Sequence, residues 1–286
     1  MVDINKLQVE LEMAADYTGG GLGRPSRYVD TYSPTLLHPI LREDTRREVG
    51  IPLNLVCQGQ DLWTGYEFSW LDRRGVPQVA GLRLRVPCQS PSIVESKSLK
   101  LYLNSLAMTK FDSLADVNKT LDQDLTGAFG SPLIVELLDL AQLNQPVQQF
   151  AGVCLEKLDV DISHYDRAPG FLGIEDETRI VRQSFYTNVF RSLCPVTGQP
   201  DWASISIDCM GMPIEQAGLF KYLVSYRNHP AFHETTVEQI YHDLTQACRP
   251  QSLSVYGRFQ RRGGLDINPF RSNDQAEAPL CRLPRQ

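Results

Sequence analysis

One register shift relates the two halves of this 286-residue chain. Glu95, Leu99, Tyr102, Leu103, Ser105 and Val117 recur as Glu215, Leu219, Tyr222, Leu223, Ser225 and Val237, each at the same offset (215 − 95 = 120). Six matches at one spacing, spread over two helix-length stretches, point to a duplication. A duplicated chain solves one folding problem twice. In the first half, the aromatic-rich run from Leu62 to Leu71 and the alternating run from Gln78 to Val86 predict a hairpin across the Asp72–Gly75 turn. Glu95-Ser96-Lys97-Ser98 opens a helix on which Leu99, Tyr102, Leu103 and Leu106 share a face. Ser113 and Asp116 resemble a capping box ahead of a second helix carrying Val117, Leu121 and Leu125. Strands are predicted over Pro132–Leu137 and near Gly152–Ile162. The second half repeats the order. Strands run over Ile180–Leu193 and Trp202–Cys209, and a helix carries Leu219, Tyr222 and Leu223. A helix capped by Thr235 and Glu238 carries Val237, Ile240, Tyr241 and Leu244, and Ser252–Phe259 is a strand. Each half reads strand-strand-helix-helix-strand-strand, an antiparallel sheet with paired helices on one face, and the fold class is α+β. The boundaries fall at 1–50 for an N-terminal extension, 51–165 for a first module and 166–286 for a second. The extension reads as irregular. Its Gly19–Gly23 run is a surface loop without the spacing of a dinucleotide fingerprint, and Thr31–Arg42 is extended.

The net charge is −6, so no electrostatic footprint for nucleic acid is expected. Seven cysteines with no Cys-x-x-Cys pair argue against a disulfide framework or zinc knuckle and for a reducing compartment. No N-terminal secretory pattern and no apolar run of membrane-spanning length is found. The expectation is a soluble cytoplasmic protein without metal or membrane partner.

Four stretches carry possible chemistry. Cys194-Pro195-Val196-Thr197-Gly198-Gln199-Pro200-Asp201-Trp202 sets a thiol and a carboxyl on a segment that its prolines and glycine keep out of helix. A thiolate nucleophile with a nearby acid is one reading, and a buried structural cysteine followed by a turn aspartate is the other. Glu95-Ser96-Lys97-Ser98 is either a polar helix start or a phosphate site. Phe232-His233-Glu234 is either a surface loop or a place for proton transfer. Arg258-Phe259-Gln260-Arg261-Arg262-Gly263-Gly264 is either a solvated basic loop or a backbone able to approach an anion closely.

Together these stretches, with Leu101-Tyr102-Leu103-Asn104-Ser105, Ser254-Val255-Tyr256 and Leu265-Asp266-Ile267-Asn268-Pro269, resemble the NADPH-dependent 7-cyano-7-deazaguanine reductases, the nitrile reductases of queuosine biosynthesis in tRNA modification. The resemblance runs from about residue 30 onward and is to the long subtype, built of two tandem tunnelling-fold modules. It implies a homodimer and a small-molecule deazapurine substrate, with no direct nucleic-acid contact. It implies NADPH as hydride donor, used twice, and a primary amine product. It assigns covalent thioimidate formation to Cys194, proton supply to Asp201 and later proton movement to His233. It places Ile93, Val94, Glu95, His233 and Glu234 at the substrate and Ser96, Lys97, Arg262 and Gly263 at the cofactor. A metal-dependent tunnelling-fold enzyme acting on a pterin or guanine ring would need a His/Cys ligand cluster. The five histidines, at 38, 164, 229, 233 and 242, include no ligand-spaced pair with a cysteine. A non-catalytic purine-binding module would have no use for both Cys194 and Asp201.

Overall fold

The computed structural model describes residues 29–286; the Gly19–Gly23 run lies outside them. β1 (Pro39–Leu41) and α1 (Arg42–Val49) lead into the hairpin of β2 (Gln58–Leu71) and β3 (Pro77–Pro87). β4 (Ser92–Val94), α2 (Ser96–Ser105), α3 (Leu114–Phe129), β5 (Ile134–Leu138) and β6 (Val153–Cys154) follow. The second half holds β7 (Val181–Leu193), β8 (Pro200–Gly211), α4 (Gln216–Val224), α5 (His233–Cys248), β9 (Ser252–Phe259) and β10 (Leu265–Ser272). Eight strands form one sheet in the order β5-β3-β2-β10-β9-β8-β7-β6. All neighbours are antiparallel except β6, which runs parallel to β7. The architecture is α+β.

Two apolar cores lie between the sheet and the helix pairs. Trp63, Leu82, Leu84 and Val86 meet Leu99 and Tyr102 of α2 and Val117, Leu121 and Leu125 of α3. Ile205, Ile207, Val255 and Phe259 meet Leu219 and Tyr222 of α4 and Val237, Ile240 and Leu244 of α5. The repeat is explained residue by residue. Leu99 and Leu219, Tyr102 and Tyr222, and Val117 and Val237 are all fully buried. Each tyrosine hydroxyl donates to an aspartate, Tyr102 to Asp124 at 2.7 Å and Tyr222 to Asp243 at 2.6 Å. Glu95 and Glu215 are helix N-caps, accepting from backbone N–H groups at the starts of α2 and α4.

β10 joins the halves. It pairs with β2 along its whole length, from Leu265 opposite Gly65 to Ser272 opposite Gln58, and with β9 only at Phe270–Ser272. At this junction Gly59 has φ 126°, and a Cβ there would sit 2.1 Å from the Phe270 carbonyl oxygen, so only glycine fits. The sequence reading gave no strand to 265–272, because Pro269 interrupts the run and Gly263-Gly264 precede it. The strand tolerates Pro269 opposite Asp61, where β9 has already parted from β10 and needs no N–H from it.

Three expectations are corrected. The first fifty residues are not wholly irregular: α1 runs from Arg42 to Val49 and docks Arg42 and Thr45 out of solvent. The strand expected over Gly152–Ile162 is only Val153–Cys154, since Leu155, Leu158, Val160 and Ile162 turn instead to pack on the second core. Thr235 and Glu238 do not cap a helix. α5 begins at His233 with Phe232 as its N-cap, and both residues are buried inside it. Glu238 is drawn inward by guanidinium groups, Nε of Arg46 at 2.8 Å and Nη2 of Arg271 at 2.9 Å. Ser113 does cap α3, accepting from Asp116 N–H.

Candidate functional site

β7 ends at Leu193 and β8 begins at Pro200, so Cys194–Gln199 form the connecting loop. It is closed by Cys194 N–H donating to the Gln199 carbonyl at 2.8 Å and Gly198 N–H donating to the Cys194 carbonyl at 2.9 Å. Gly198 takes φ 68°, the left-handed turn conformation glycine allows. Leu193 pairs with the 229–231 segment on its other side, through Leu193 N–H to His229 O and Ala231 N–H to Leu193 O. That ladder sets the half-buried Cys194 beside the start of α5.

Asp201, the second residue of β8, is buried. Its Oδ2 lies 3.2 Å from His233 Nε2 and its Oδ1 lies 2.9 Å from an Arg262 Nη2. The guanidinium approaches off the hydrogen-bond direction, so Oδ1 has no hydrogen-bond partner. His233 Nδ1, Ser192 Oγ and Thr236 Oγ1 are likewise buried and unpartnered. Ser192 stands opposite Asp201 across the β7–β8 ladder and His233 lies beside it, so a polar ligand bound there would meet side-chain atoms without partners. The His233 ring is held flat on Phe259, centroids 3.8 Å apart and planes 8° from parallel. Phe259 lies where β9 and β10 have parted, and side chains satisfy its main chain: its N–H donates to Asn268 Oδ1 and its carbonyl accepts from Gln286 Nε2.

The N-terminal half reaches this place through α2. Lys100, half-buried, packs on the Arg262–Gly263 turn: a Cβ on Gly263 would stand 3.2 Å from both its Cε and Nζ, and Gly263 has φ 58°. Burial and Arg262 lower the Lys100 ammonium, against the pull of Glu95, Asp201 and Cys194. Lys100 thus couples the helix that Glu95 caps to the loop that carries Cys194. The sequence reading missed it, although Ser96 and Lys100 are spaced to share one face of α2. The Glu95 carboxylate accepts from Lys97 N–H at 2.8 Å and Ser98 N–H at 2.7 Å. Ile93 and Val94 are buried in β4, which pairs with β1. Ser96 is half-buried, and Lys97 stands exposed in the first turn.

Glu234 does not join the Asp201–His233 pair. Its carboxyl is buried, and burial together with Asp61 pushes it to about 8, against Arg42 and Arg271. Those residues belong to a buried charge cluster at the seam between the two cores, which sequence reasoning also missed. Arg271 bridges Asp61 at 2.7 Å and Glu238 at 2.9 Å, and Arg42 and Arg46 of α1 complete the cluster. Burial alone would raise Glu238, but Arg271, Arg46 and Arg42 hold its carboxyl down at about 2. A cavity of about 350 Å³ opens between α1 and the 229–232 segment, lined by Thr45, Glu48, Val49, Pro195, Phe232 and Thr235. It lies next to the Cys194 loop and is large enough for a bicyclic base.

The bare Gly263 backbone, with the Lys100 side chain packed on it and Arg262 next to it, brings two cations and an unshielded main chain together. Such a set fits the phosphates of a dinucleotide.

Comparison with known proteins gives concordant matches. The family model described as nitrile reductase, 7-cyano-7-deazaguanine-reductase N-term matches residues 28–137. A second, described as QueF-like protein, matches residues 200–278. An NADPH-dependent 7-cyano-7-deazaguanine reductase of Polaromonas sp. is 46% identical over 267 residues, covering 93% of this chain and 97% of the relative. Reductases of the same name from Bordetella avium and Burkholderia thailandensis are each 44% identical, over 90% and 93% of this chain and 94% and 97% of their own. The crystal structure of an archaeosine synthase QueF-Like in the apo form aligns with 36% of this chain and all of its own, at TM-score 0.30 and 17% identity, and carries no argument here. On the relatives' near full-length identity and on both family models, the chain belongs to the NADPH-dependent 7-cyano-7-deazaguanine reductase family.

Proposed function

We propose that this protein reduces the nitrile of 7-cyano-7-deazaguanine to the primary amine, 7-aminomethyl-7-deazaguanine, in queuosine biosynthesis, with Cys194 as the nucleophile. The observation that carries the assignment is the convergence of Asp201, His233 and Arg262 with Lys100 of the other half at the Cys194 loop. A nitrile is a poor hydride acceptor. Addition of the Cys194 sulfur to its carbon gives a thioimidate, and the nitrogen takes a proton from Asp201. Lys100 brings the positive charge of the other half to the Cys194 loop. His233, with Nε2 3.2 Å from Asp201 Oδ2 and its ring stacked on Phe259, passes protons to the nitrogen in the later steps. NADPH, when bound, would supply two hydrides to the carbon; after the first the C–S bond breaks and the Cys194 sulfur leaves as thiolate, and the second completes the amine, so each nitrile consumes two cofactors and two protons. Ser96, Lys97, Lys100, Arg262 and Gly263 would hold its phosphates.

Glu234 and Glu95 take the adjacent N–H donors of the base. A carboxylate left unpaired would reject bases without that pattern. Glu95 must first trade its cap bonds for those donors. The backbone of Ile93 and Val94 borders the same place. The two halves are read as tandem tunnelling-fold modules, 51–165 and 166–286 behind the 1–50 extension, in a cytoplasmic homodimer. Its seven free cysteines suit a reducing compartment, and among the described residues no helix is long and apolar enough to cross a membrane.

The test is absorbance of NADPH with the cyano-base present, and intact-mass analysis without NADPH. Two cofactors oxidised per base and a covalent adduct mapped to Cys194 are expected. Binding of the base with neither outcome would reduce the protein to a purine-binding module.

A further inference from the structure

We infer that Cys57 and Cys88, which no step of the reduction uses, form a reversible intrachain disulfide, with Cys57 as the point of entry for an oxidant and Cys88 as the resolving thiol. Cys57 lies on the segment entering β2 and Cys88 directly follows β3, so the two close the open end of the first hairpin. Their sulfurs are 4.0 Å apart, and Cys88 Sγ also donates to the Cys57 carbonyl at 3.9 Å. A disulfide needs about 2.05 Å between sulfurs, a closure of about 2 Å that side-chain rotation can supply. The backbone on both sides is already tied. Cys88 N–H donates to the Gly59 carbonyl at 3.1 Å, and Gln89 Nε2 donates to the Cys57 carbonyl at 2.9 Å. The other five cysteines have no sulfur partner among the described hydrogen bonds.

The two thiols differ in access and in charge. Cys57 is half-buried and can be reached, while Cys88 is 1% exposed. The hydrogen bond from Cys57 and the nearby Arg271 favour the Cys88 thiolate, against burial, Asp61 and Glu238, and its thiol sits at about 7; the same hydrogen bond and burial push the Cys57 thiol up, so access rather than thiolate character makes Cys57 the entry point. The oxidant is a low-molecular-weight disulfide such as oxidised glutathione. The Cys57 sulfur attacks one of its sulfurs, the S–S bond breaks, and the first glutathione leaves as thiolate and takes up the proton that Cys57 gives up. The Cys88 thiolate then attacks Cys57 in the mixed disulfide and expels the second glutathione, which is protonated in turn. Two protein thiols are oxidised and one glutathione disulfide is reduced to two thiols. The link would pin the segment before β2 to the hairpin, next to Arg46, whose Nη2 already reaches the Cys88 carbonyl at 3.4 Å.

The test incubates the full chain with oxidised glutathione and maps peptides without reductant. A peptide pair joined through Cys57 and Cys88, a chain lighter by two hydrogens with no glutathione kept at Cys57, and reversal by dithiothreitol are expected. The oxidised chain should also melt at higher temperature than the reduced one. Cys88→Ser should retain one glutathione on Cys57. Cys57→Ser should leave Cys88 unmodified, and it checks the order of events should the buried replacement perturb the fold. Glutathione persisting on Cys57 of the unsubstituted chain, a link to any other cysteine, or two unreacted thiols would overturn the inference.

Discussion

Glu234 and Glu238 stand one turn apart on α5, both buried, yet titrate at opposite ends of the carboxylate range, about 8 and about 2. The difference is in their neighbours: Glu234 faces Asp61, while Glu238 is held by three arginines. Only an ionised Glu234 can accept two N–H donors, so affinity for the cyano-base should rise as pH rises toward about 8 and level off above it. Titration calorimetry on either side of that value, from about pH 6 to about pH 9, checks this, and an affinity flat across that window would remove Glu234 from base recognition. In stability the two act oppositely. Glu234 has a folded value above its ordinary 4.5, so it costs stability progressively between about 4.5 and 8. Glu238 has a folded value below 4.5, so its contribution is present above 4.5 and is lost as pH falls toward 2. At the chemistry itself, Cys194→Ala should abolish both adduct and turnover while leaving the thermal transition unchanged. NADPH oxidation by that variant would end the assignment. Asp201→Asn should bind the base but slow adduct formation and reduction by about 10²-fold or more, the range for loss of a general acid. Unchanged single-turnover rates would pass the proton to His233.

At the scale of elements, the seam between the two cores is held by ions rather than apolar side chains. Arg271, fully buried, is shared by Asp61 of β2 and Glu238 of α5, and α1 adds Arg42 and Arg46. Removing one partner leaves the others charged and out of water. Arg271→Ala should therefore destabilise by about 3–5 kcal/mol, read as a lower urea midpoint, and a loss under about 1 kcal/mol would mean water replaces the guanidinium at little cost. This seam explains what the sequence could and could not tell. The hairpin, α2, α3 and β7 to β9 were legible because their apolar periods match their burial. α1 was not, since Arg-Glu-Asp-Thr-Arg-Arg-Glu-Val shows no apolar stripe and its docking depends on carboxylates about 20 and 190 residues away. β10 was hidden by Pro269, and the start of α5 was read three residues late, with the cap at Thr235 instead of Phe232, because Thr235 and Glu238 mimic a capping box. The grouping of Asp201, His233 and Arg262 follows from motifs visible in sequence. The turning of Glu234 toward Asp61 does not, because it is set by a strand from the other half. Lys100 was legible only as a helical residue until the Gly263 turn was seen against it.

For the whole molecule, the sheet has two unfinished edges. β5 is five residues long, pairs only with β3, and leaves Ile134 more than half exposed. At the other end the thirteen-residue β7 is covered on its outer side by Val153 and Cys154 of β6 and, at Leu193, by the 229–231 segment, while Val189 within it and Ile180 just before it are exposed. Open edges of this kind invite a further strand, and charge or proline commonly protects them where no partner exists. β5, reading Ile-Val-Glu-Leu-Leu, has no proline, and its one charge, Glu136, is taken up by Arg85 of β3 at 3.2 Å. A second copy can close both ends at once, continuing the sheet toward a barrel in which no edge remains. Two-fold pairing is the commonest closed arrangement for identical chains. The Cys194 loop at the β7–β8 turn and the Gly263 turn against Lys100 of α2 meet within one chain, so closure is not needed to bring them together. It would rather fix the two halves against each other. Sedimentation equilibrium at micromolar concentration should give twice the chain mass, and Ile134→Lys on β5 should shift the equilibrium toward single chains while each retains its Cys194 adduct. A fully active single chain at that concentration would refute the dimer.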